Sequence, residues 1–257
     1  MKLLFWNLNK NENSKYINSI LSAEDIDIAV FAEYQGLNLV EIDSQYQKSS
    51  DRSGCDKVIF ISKNTIPLTV RREGTRYAIY SFSIAGENFL LVGLHLPANP
   101  HSNADARKDV IFDIKRDIIE QEKLTSIVNT IVIGDFNASP FDSELTQKNA
   151  FDAVLYKKEI VNQEVVEYQS KRHKRFYNPL LNYISESSGM YGSFRYMADI
   201  NDVIWYCYDQ IIVRKPLAER IENVMYMKKI DNTELISSKG VIKDSISDHL
   251  PLIVEVK

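Results

Sequence analysis

Eight side chains able to ligate a metal or move a proton stand at or between apolar runs of this chain. Asn7 follows Leu3–Trp6, Glu33 follows Ile28–Ala32, and His95 follows Phe89–Leu94. Asp135 and Asn137 follow Ile131–Ile133 through Gly134, and Asp248 and His249 precede Leu252–Val256. Asp209 lies inside an apolar stretch, between Trp205–Tyr208 and Ile211–Val213. Each alone has a plain explanation. A strand-end acid is usually a turn former or helix cap, Gly134-Asp135-Phe136-Asn137 suits a turn, and a half-buried His95 can be satisfied by backbone. Asp209 is harder to dismiss, because an unpaired buried carboxylate is costly; it needs a partner, and a histidine is a suitable one. Gathered in one cleft, Glu33, Asp135, Asp209 and Asp248 would repel one another and raise some of their pKa values. A divalent cation removes that penalty. Carboxylate and amide oxygens suit a hard ion such as Mg²⁺ or Mn²⁺, and no Cys/His spacing suggests zinc.

The elements that must position these groups follow from periodicity. Strand-length runs rich in β-branched and aromatic residues are Leu3–Trp6, Ile28–Ala32, Val58–Ile61, Ala78–Phe82, Phe89–Leu94, Ile131–Ile133, Ile211–Val213 and Leu252–Val256. Tyr16, Ile17, Ile20 and Leu21 give one helical face. A longer helix is predicted from near Ser102, with Asp105 in its first turn and Val110, Ile111, Ile114 and Ile118 on its apolar face. Several strands adjoin without an intervening helix, which predicts mixed or antiparallel sheet with helices outside. The polar, tyrosine-rich stretch from Tyr156 to Met197 is weakly periodic and reads as a long irregular segment. Functional groups at strand ends are held by a rigid scaffold where loops gather.

At 257 residues the chain fits one large α/β domain. Its net charge of -4 argues against a general nucleic-acid coat protein, whose affinity comes from neutralising phosphates. Two cysteines do not make a disulfide framework, and Cys207 reads as a packed thiol. The start of the chain turns polar at Asn7 and lacks a signal-peptide core. No run is long and apolar enough to span a bilayer. The expected location is the cytoplasm, with no membrane partner.

Six segments, taken in order, resemble the endonuclease/exonuclease/phosphatase family. They are Phe5-Trp6-Asn7-Leu8-Asn9, Phe31-Ala32-Glu33, Gly93-Leu94-His95-Leu96, Val132-Ile133-Gly134-Asp135-Phe136-Asn137, Tyr208-Asp209-Gln210-Ile211-Ile212 and Ser247-Asp248-His249-Leu250-Pro251. The fourth and sixth are fairly specific; the others gain weight from their order. The resemblance implies an α/β four-layer sandwich, two packed mixed β-sheets flanked by helices. It implies that Glu33 ligates the metal with Asn7 and Asn9 close by, and that Asp248 sits beside the metal. Asp135 would activate or orient the attacking water, and Asn137 would hold the phosphate and position Asp135. Asp209 would fix the ring of His249, while His249 and His95 would contact phosphoryl oxygens. Asn9 stands where some relatives carry an aspartate, and Gln210 departs from the usual residue after the motif's acid. On one strand, Gln210 points away from Asp209.

The implied activity is metal-dependent phosphodiester hydrolysis, the cation stabilising charge on phosphoryl and leaving oxygens. The favoured substrate is a nucleic acid. Lys171, Arg172, Lys174 and Arg175, with Arg195 and neighbouring tyrosines, offer phosphate contacts and stacking surfaces; the bland reading of the same run is a solvated surface. A small-molecule or inositol-phosphate phosphatase is the alternative, and a catalytically inactive binding module on the same scaffold is the alternative from another class.

Overall fold

Period-two alternation in the central strands builds the layers. The computed structural model describes residues 1–49, 55–98, 104–185, 187–196 and 204–257. In it, β7 (Glu87–His95), β8 (Asn129–Asp135) and β15 (Asp209–Val213) send successive residues to opposite faces. Leu91, Ile131, Ile133, Ile211 and Val213 enter one apolar core. Leu90, Val92, Leu94, Val132 and Ile212 enter another.

The first core lies between two sheets. One has six strands in the order β16 (Ile221–Tyr226), β19 (Leu252–Val256), β1 (Lys2–Asn7), β2 (Ile28–Ala32), β4 (Val58–Lys63) and β3 (Tyr46–Lys48). The other has seven, in the order β5 (Thr69–Glu73), β6 (Tyr77–Ile84), β7, β8, β15, β12 (Phe176–Tyr177) and β9 (Ala153–Val154). Both are mixed: β1–β2 and β7–β8 are parallel pairs, while β8–β15 and β1–β19 are antiparallel. The sheets pack closely at Gly93, where a Cβ would lie 2.5 Å from Phe60 and 2.7 Å from Val30 of the facing sheet. Helix α1 (Ser14–Ala23), the crossover between β1 and β2, buries Ile17, Ile20 and Leu21. Helix α2 (Ala104–Thr125) closes the second core with Ile111, Ile114 and Ile118. Each fully buried aliphatic side chain contributes about 1.5–3 kcal/mol. No helix among the described residues is long and apolar enough to cross a membrane.

All eight strand-length runs named in the sequence lie inside strands. The long helix is described from Ala104; Ser102 lies outside the described residues. The segment expected to be irregular is not. It contains α4 (Lys157–Asn162), a hairpin of β10 (Val165–Tyr168) and β11 (Lys171–Lys174), strand β12, and β13 (Phe194–Tyr196), which pairs with β14 (Ile204–Tyr206). β10 and β11 are four residues each with mostly polar or exposed side chains, and β12 is a buried pair of two, so none leaves an apolar alternation to read. Short α3 (Ser143–Thr146), α5 (Lys215–Ala218) and the hairpin β17 (Lys229–Ile230)–β18 (Thr233–Glu234) complete the chain.

A buried ion pair anchors the β10–β11 hairpin. Arg214 is fully buried, with Nε 2.7 Å from Glu122 Oε1 of α2. Its Nη1 donates to the carbonyls of Lys174 at 2.6 Å and Arg175 at 3.1 Å, and its guanidinium lies 3.7 Å over the Phe176 ring. Removing one partner strands the other as an unpaired buried charge. Arg214→Met is therefore expected to lower unfolding free energy by about 3–5 kcal/mol, read from the urea midpoint. A loss below about 1 kcal/mol would contradict the anchoring role.

Candidate active site

The two sheets bring their polar strand ends to one place. Register sets Asp135, the last residue of β8, between His95 of β7 and Asp209 of β15. Asn7, the last residue of β1, reaches across from the other sheet, and its Nδ2 donates to Asp135 Oδ2 at 3.0 Å. The second Asp135 oxygen accepts the backbone N–H of Asn137 at 2.9 Å. Asp135 is only 1% exposed. His95 Nε2 lies 3.7 Å and His249 Nε2 3.9 Å from the same Oδ2, so one carboxylate is bracketed by two imidazoles.

His249 is fixed by a buried partner. Its Nδ1 lies 2.7 Å from Asp209 Oδ2. Burial disfavours a charged ring, yet the Asp209 carboxylate, with Asp135 and Asp248 beyond it, raises His249 to about 10. At neutral pH the ring is a cation presenting Nε2 to Asp135. The backbone around it is stapled to the first sheet: Trp6 Nε1 donates to the His249 carbonyl at 2.9 Å, and Ser247 Oγ donates to the Asn7 carbonyl at 2.6 Å. Tyr226 holds the Asp209 carbonyl at 2.6 Å, and the Asp209 N–H donates to Ser193 Oγ at 3.1 Å.

Glu33 enters beside this group just past β2. Its Oε1 is 3.8 Å from His95 Nε2, and its Oε2 is 3.9 Å from Lys10 Nζ. Glu33 takes a left-handed φ of 47°, as do Asn9 at 48° and Asn137 at 45°, so unfavourable backbone conformations gather at the site. Gly36 permits this crowding, because a Cβ there would fall 1.9 Å from the Lys10 carbonyl oxygen. Burial raises the Asp248 carboxyl; His249 partly offsets this, and the negative charges of Glu33 and Asp135 add to it. Asp248 thus shares a field with both acids.

The donor set is oxygen-rich: carboxylates of Glu33, Asp135 and Asp248 with amides of Asn7 and Asn9. That chemistry fits a hard divalent ion. Ligand atoms of Asp135, Asp209 and His249 also lie within 4.8 Å of one another, a spacing a metal ion can bridge. The Asp209–His249 bond already occupies one atom of each.

Of the residues expected from sequence, the structure gathers Asn7, Asn9, Glu33, His95, Asp135, Asn137, Asp209, Asp248 and His249 at these strand ends. Arg195 lies on β13, whose neighbour Phe194 bridges to His249 by backbone and sets its ring 4.8 Å from the imidazole. The basic run is not brought here. Lys174 pairs with Glu164 at 3.4 Å, and Arg175 with Asp152 at 3.6 Å. Their carbonyls are held by Arg214, which follows the far end of β15, five residues or about 16 Å of extended chain from Asp209. Lys171 and Arg172 project from β11 against α2 instead.

Several positioning residues were not legible in the sequence. Gln210 points away from Asp209, as strand alternation requires. It is fully buried, accepts from Asn178 at 2.7 Å, and donates to the Ala138 carbonyl at 2.6 Å, clamping the turn that carries Asn137. Arg107 of α2 donates to the Asn137 carbonyl at 2.9 Å while paired with Glu144 at 2.8 Å. A glutamine beside Asp209 in a strand that is apolar from Ile211 onward was the one available signal.

The sequence profile of the Endonuclease/Exonuclease/phosphatase family matches residues 4–249. No curated protein sequence matches the chain. Among solved structures, a mannosyl-6-phosphatase from Bacteroides thetaiotaomicron VPI-5482 superposes with a TM-score of 0.61 at 15% identity, over 100% of this chain and 99% of that one. The endonuclease domain of TRAS1, a telomere-specific non-LTR retrotransposon, gives 0.57 at 9% identity, over 100% of this chain and 98% of that one. D. rerio TDP2 complexed with single strand DNA product gives 0.56 at 13% identity, over 100% and 98%. At these identities the likeness is one of fold.

The Asp209–His249 bond can be measured directly. A double-mutant cycle with Asp209→Ala and His249→Ala, followed by urea unfolding, is expected to give a coupling free energy of about 2–3 kcal/mol. Additivity within about 0.5 kcal/mol would show that the pair is not an energetic unit.

Proposed function

This chain belongs to the endonuclease/exonuclease/phosphatase family, and on that premise we propose that it is a divalent-metal-dependent phosphodiesterase, specifically a nuclease cleaving DNA or RNA. The observation that carries the reading is the Asp135 carboxylate, buried and hydrogen-bonded from both sheets, with two imidazoles within 4 Å of the oxygen that would meet water.

Each group then has a task. Glu33 and Asp248, with Asn7 and Asn9 beside them, would hold Mg²⁺ or Mn²⁺, which when bound supplies positive charge next to the phosphoryl and leaving oxygens. Asp135 accepts the proton of the attacking water as the water oxygen bonds to phosphorus; the ester P–O bond breaks, and the leaving alkoxide takes a proton from solvent. Asn7 and Asn137 hold the two Asp135 oxygens, so the base does not rotate away from its task. Cationic His249 aims Nε2–H at a phosphoryl oxygen, and Asp209 keeps that orientation. His95 offers a second donor on the other side of Asp135.

The nuclease reading draws support from an aromatic wall beside His249. Phe194 stacks on Tyr208 at 5.5 Å and on Tyr196 at 6.2 Å, and Tyr206 lies 4.9 Å from Tyr208. Tyr196 is half exposed. Rings of this kind suit nucleobases, and Arg195 on the same strand suits a phosphate. The DNA-bound TDP2 structure accords with it. The fold similarity to a sugar-phosphate phosphatase favours a second reading, a small phosphoester substrate.

With Mg²⁺ or Mn²⁺, purified protein is expected to cleave one or more of single-stranded DNA, double-stranded DNA, RNA and abasic DNA. Chelation should abolish turnover, and Asp135→Asn and His249→Ala should each cost about 10²–10³-fold in kcat. Turnover only of sugar phosphates or phosphoinositides would move the assignment to the second reading. Full activity in either variant would remove its assigned role.

A further inference from the structure

Remote from the strand-end cluster, α2 and the β10–β11 hairpin enclose a groove of about 580 Å³. The nuclease reading did not require it, and the basic run that the sequence placed near the site ends here. Its charge is concentrated and uncommitted. Lys123, Lys171 and Arg172 line it and are exposed, and none has an ion-pair partner among the described residues. Arg116 is not counted, because Asp113 at 2.7 Å and Asp117 at 3.3 Å hold it. Lys115 is not counted either, since its Nζ is bonded to the Lys148 carbonyl. Glu120 is the one acid in the lining. This occurs on a chain whose net charge is -4, so general basicity does not explain it.

The groove also has exposed rings. Phe112 is 58% and Tyr168 45% exposed. His173 meets Tyr168 edge-on at 6.2 Å, and its Nε2 is buried without a hydrogen-bond partner. Lys148 Nζ lies 5.8 Å over the Tyr168 ring. Cations alone would suit any polyanion, including an acidic peptide. Cations interleaved with solvent-facing rings favour single-stranded nucleic acid, whose phosphates and bases use both.

We propose that the groove between α2 and the β10–β11 hairpin is a second nucleic-acid site, which binds single-stranded polynucleotide through its phosphates and stacks its bases on Tyr168 and Phe112. The proposal rests on the nuclease reading for its purpose: a long substrate held here is retained while another part of it occupies the cleft. Binding at the groove does not itself need catalysis, so the two can be tested apart.

The experiment is fluorescence anisotropy with labelled oligo-dT and oligo-rU of about 20 nucleotides, longer than a single-strand site of roughly 4–16, in EDTA so that nothing is cleaved. The proteins are wild type, Asp135→Asn, the double variant Lys171→Glu/Arg172→Glu, and Tyr168→Ala. Unfolding midpoints and turnover of a substrate too short to span groove and cleft serve as checks on folding. Wild type and Asp135→Asn should bind alike. The double reversal should weaken binding at least about tenfold and reduce the slope of log K against log salt by about 1.4, for two phosphate contacts. Tyr168→Ala should weaken it by about five- to a hundredfold. Unchanged affinity in the double reversal, or no binding by wild type, would overturn the proposal. So would displacement of the oligonucleotide by poly-glutamate at equal charge concentration, which would assign the groove to an acidic peptide. Failure of the nuclease reading is seen elsewhere, as absent cleavage with binding intact.

Discussion

The Asp135 carboxylate is buried where the two sheets meet, and the rest of the site can be understood from the need to satisfy it. A carboxylate at 1% exposure is costly unless its oxygens are bonded. One oxygen takes an amide from the opposite sheet and the other takes the N–H of the turn that follows. That requirement fixes the registry of the sheets at their polar ends. It also explains why Asn7 and Asn137 are amides: each supplies a donor without adding negative charge. The remaining negative charge is balanced by cationic His249, itself charged because Asp209 is locked to its far nitrogen.

The strand positions and the polar groups that the fold gathers at their ends were legible in the sequence for the same reason. A strand whose two faces are both buried must be apolar throughout, so a polar residue at its end stands out. Asn7, Glu33, His95, Asp135 and His249 were visible on that contrast, and Asp209 on its position inside an apolar stretch. The resemblance to a known family added their roles. What stayed hidden depends on contacts between distant segments. Gln210 reads as an ordinary departure from a motif until its bond to the Ala138 carbonyl is known. Arg107 sits on a helix whose periodicity says which face is buried and nothing about Asn137. The basic run misled because charge says where solvent is, not which end of a sheet a segment is tied to. Arg214, fully buried in the strand's extension, makes that choice.

On the proposed function, the molecule would separate rigid chemistry from adaptable recognition. The gathered acids, amides and imidazoles lie on central strands and adjoining turns, cross-braced by Trp6, Ser247, Tyr226 and Ser193. The aromatic surface near His249 is carried by the short β13–β14 pair, and the basic groove by the β10–β11 hairpin and α2. Hairpins of this kind can change length and composition without disturbing the strand ends, which is how one scaffold serves different phosphoesters.

The central claim is that the acids at these strand ends form a hard-cation site with Glu33 as a principal ligand. Titrating metal-free protein with Mn²⁺ while following the free-ion electron paramagnetic resonance signal tests it directly. The account predicts saturable loss of that signal in wild type and at least about tenfold weaker binding in Glu33→Gln, with an unchanged melting temperature without metal. Equal Mn²⁺ affinity in the two proteins would contradict it.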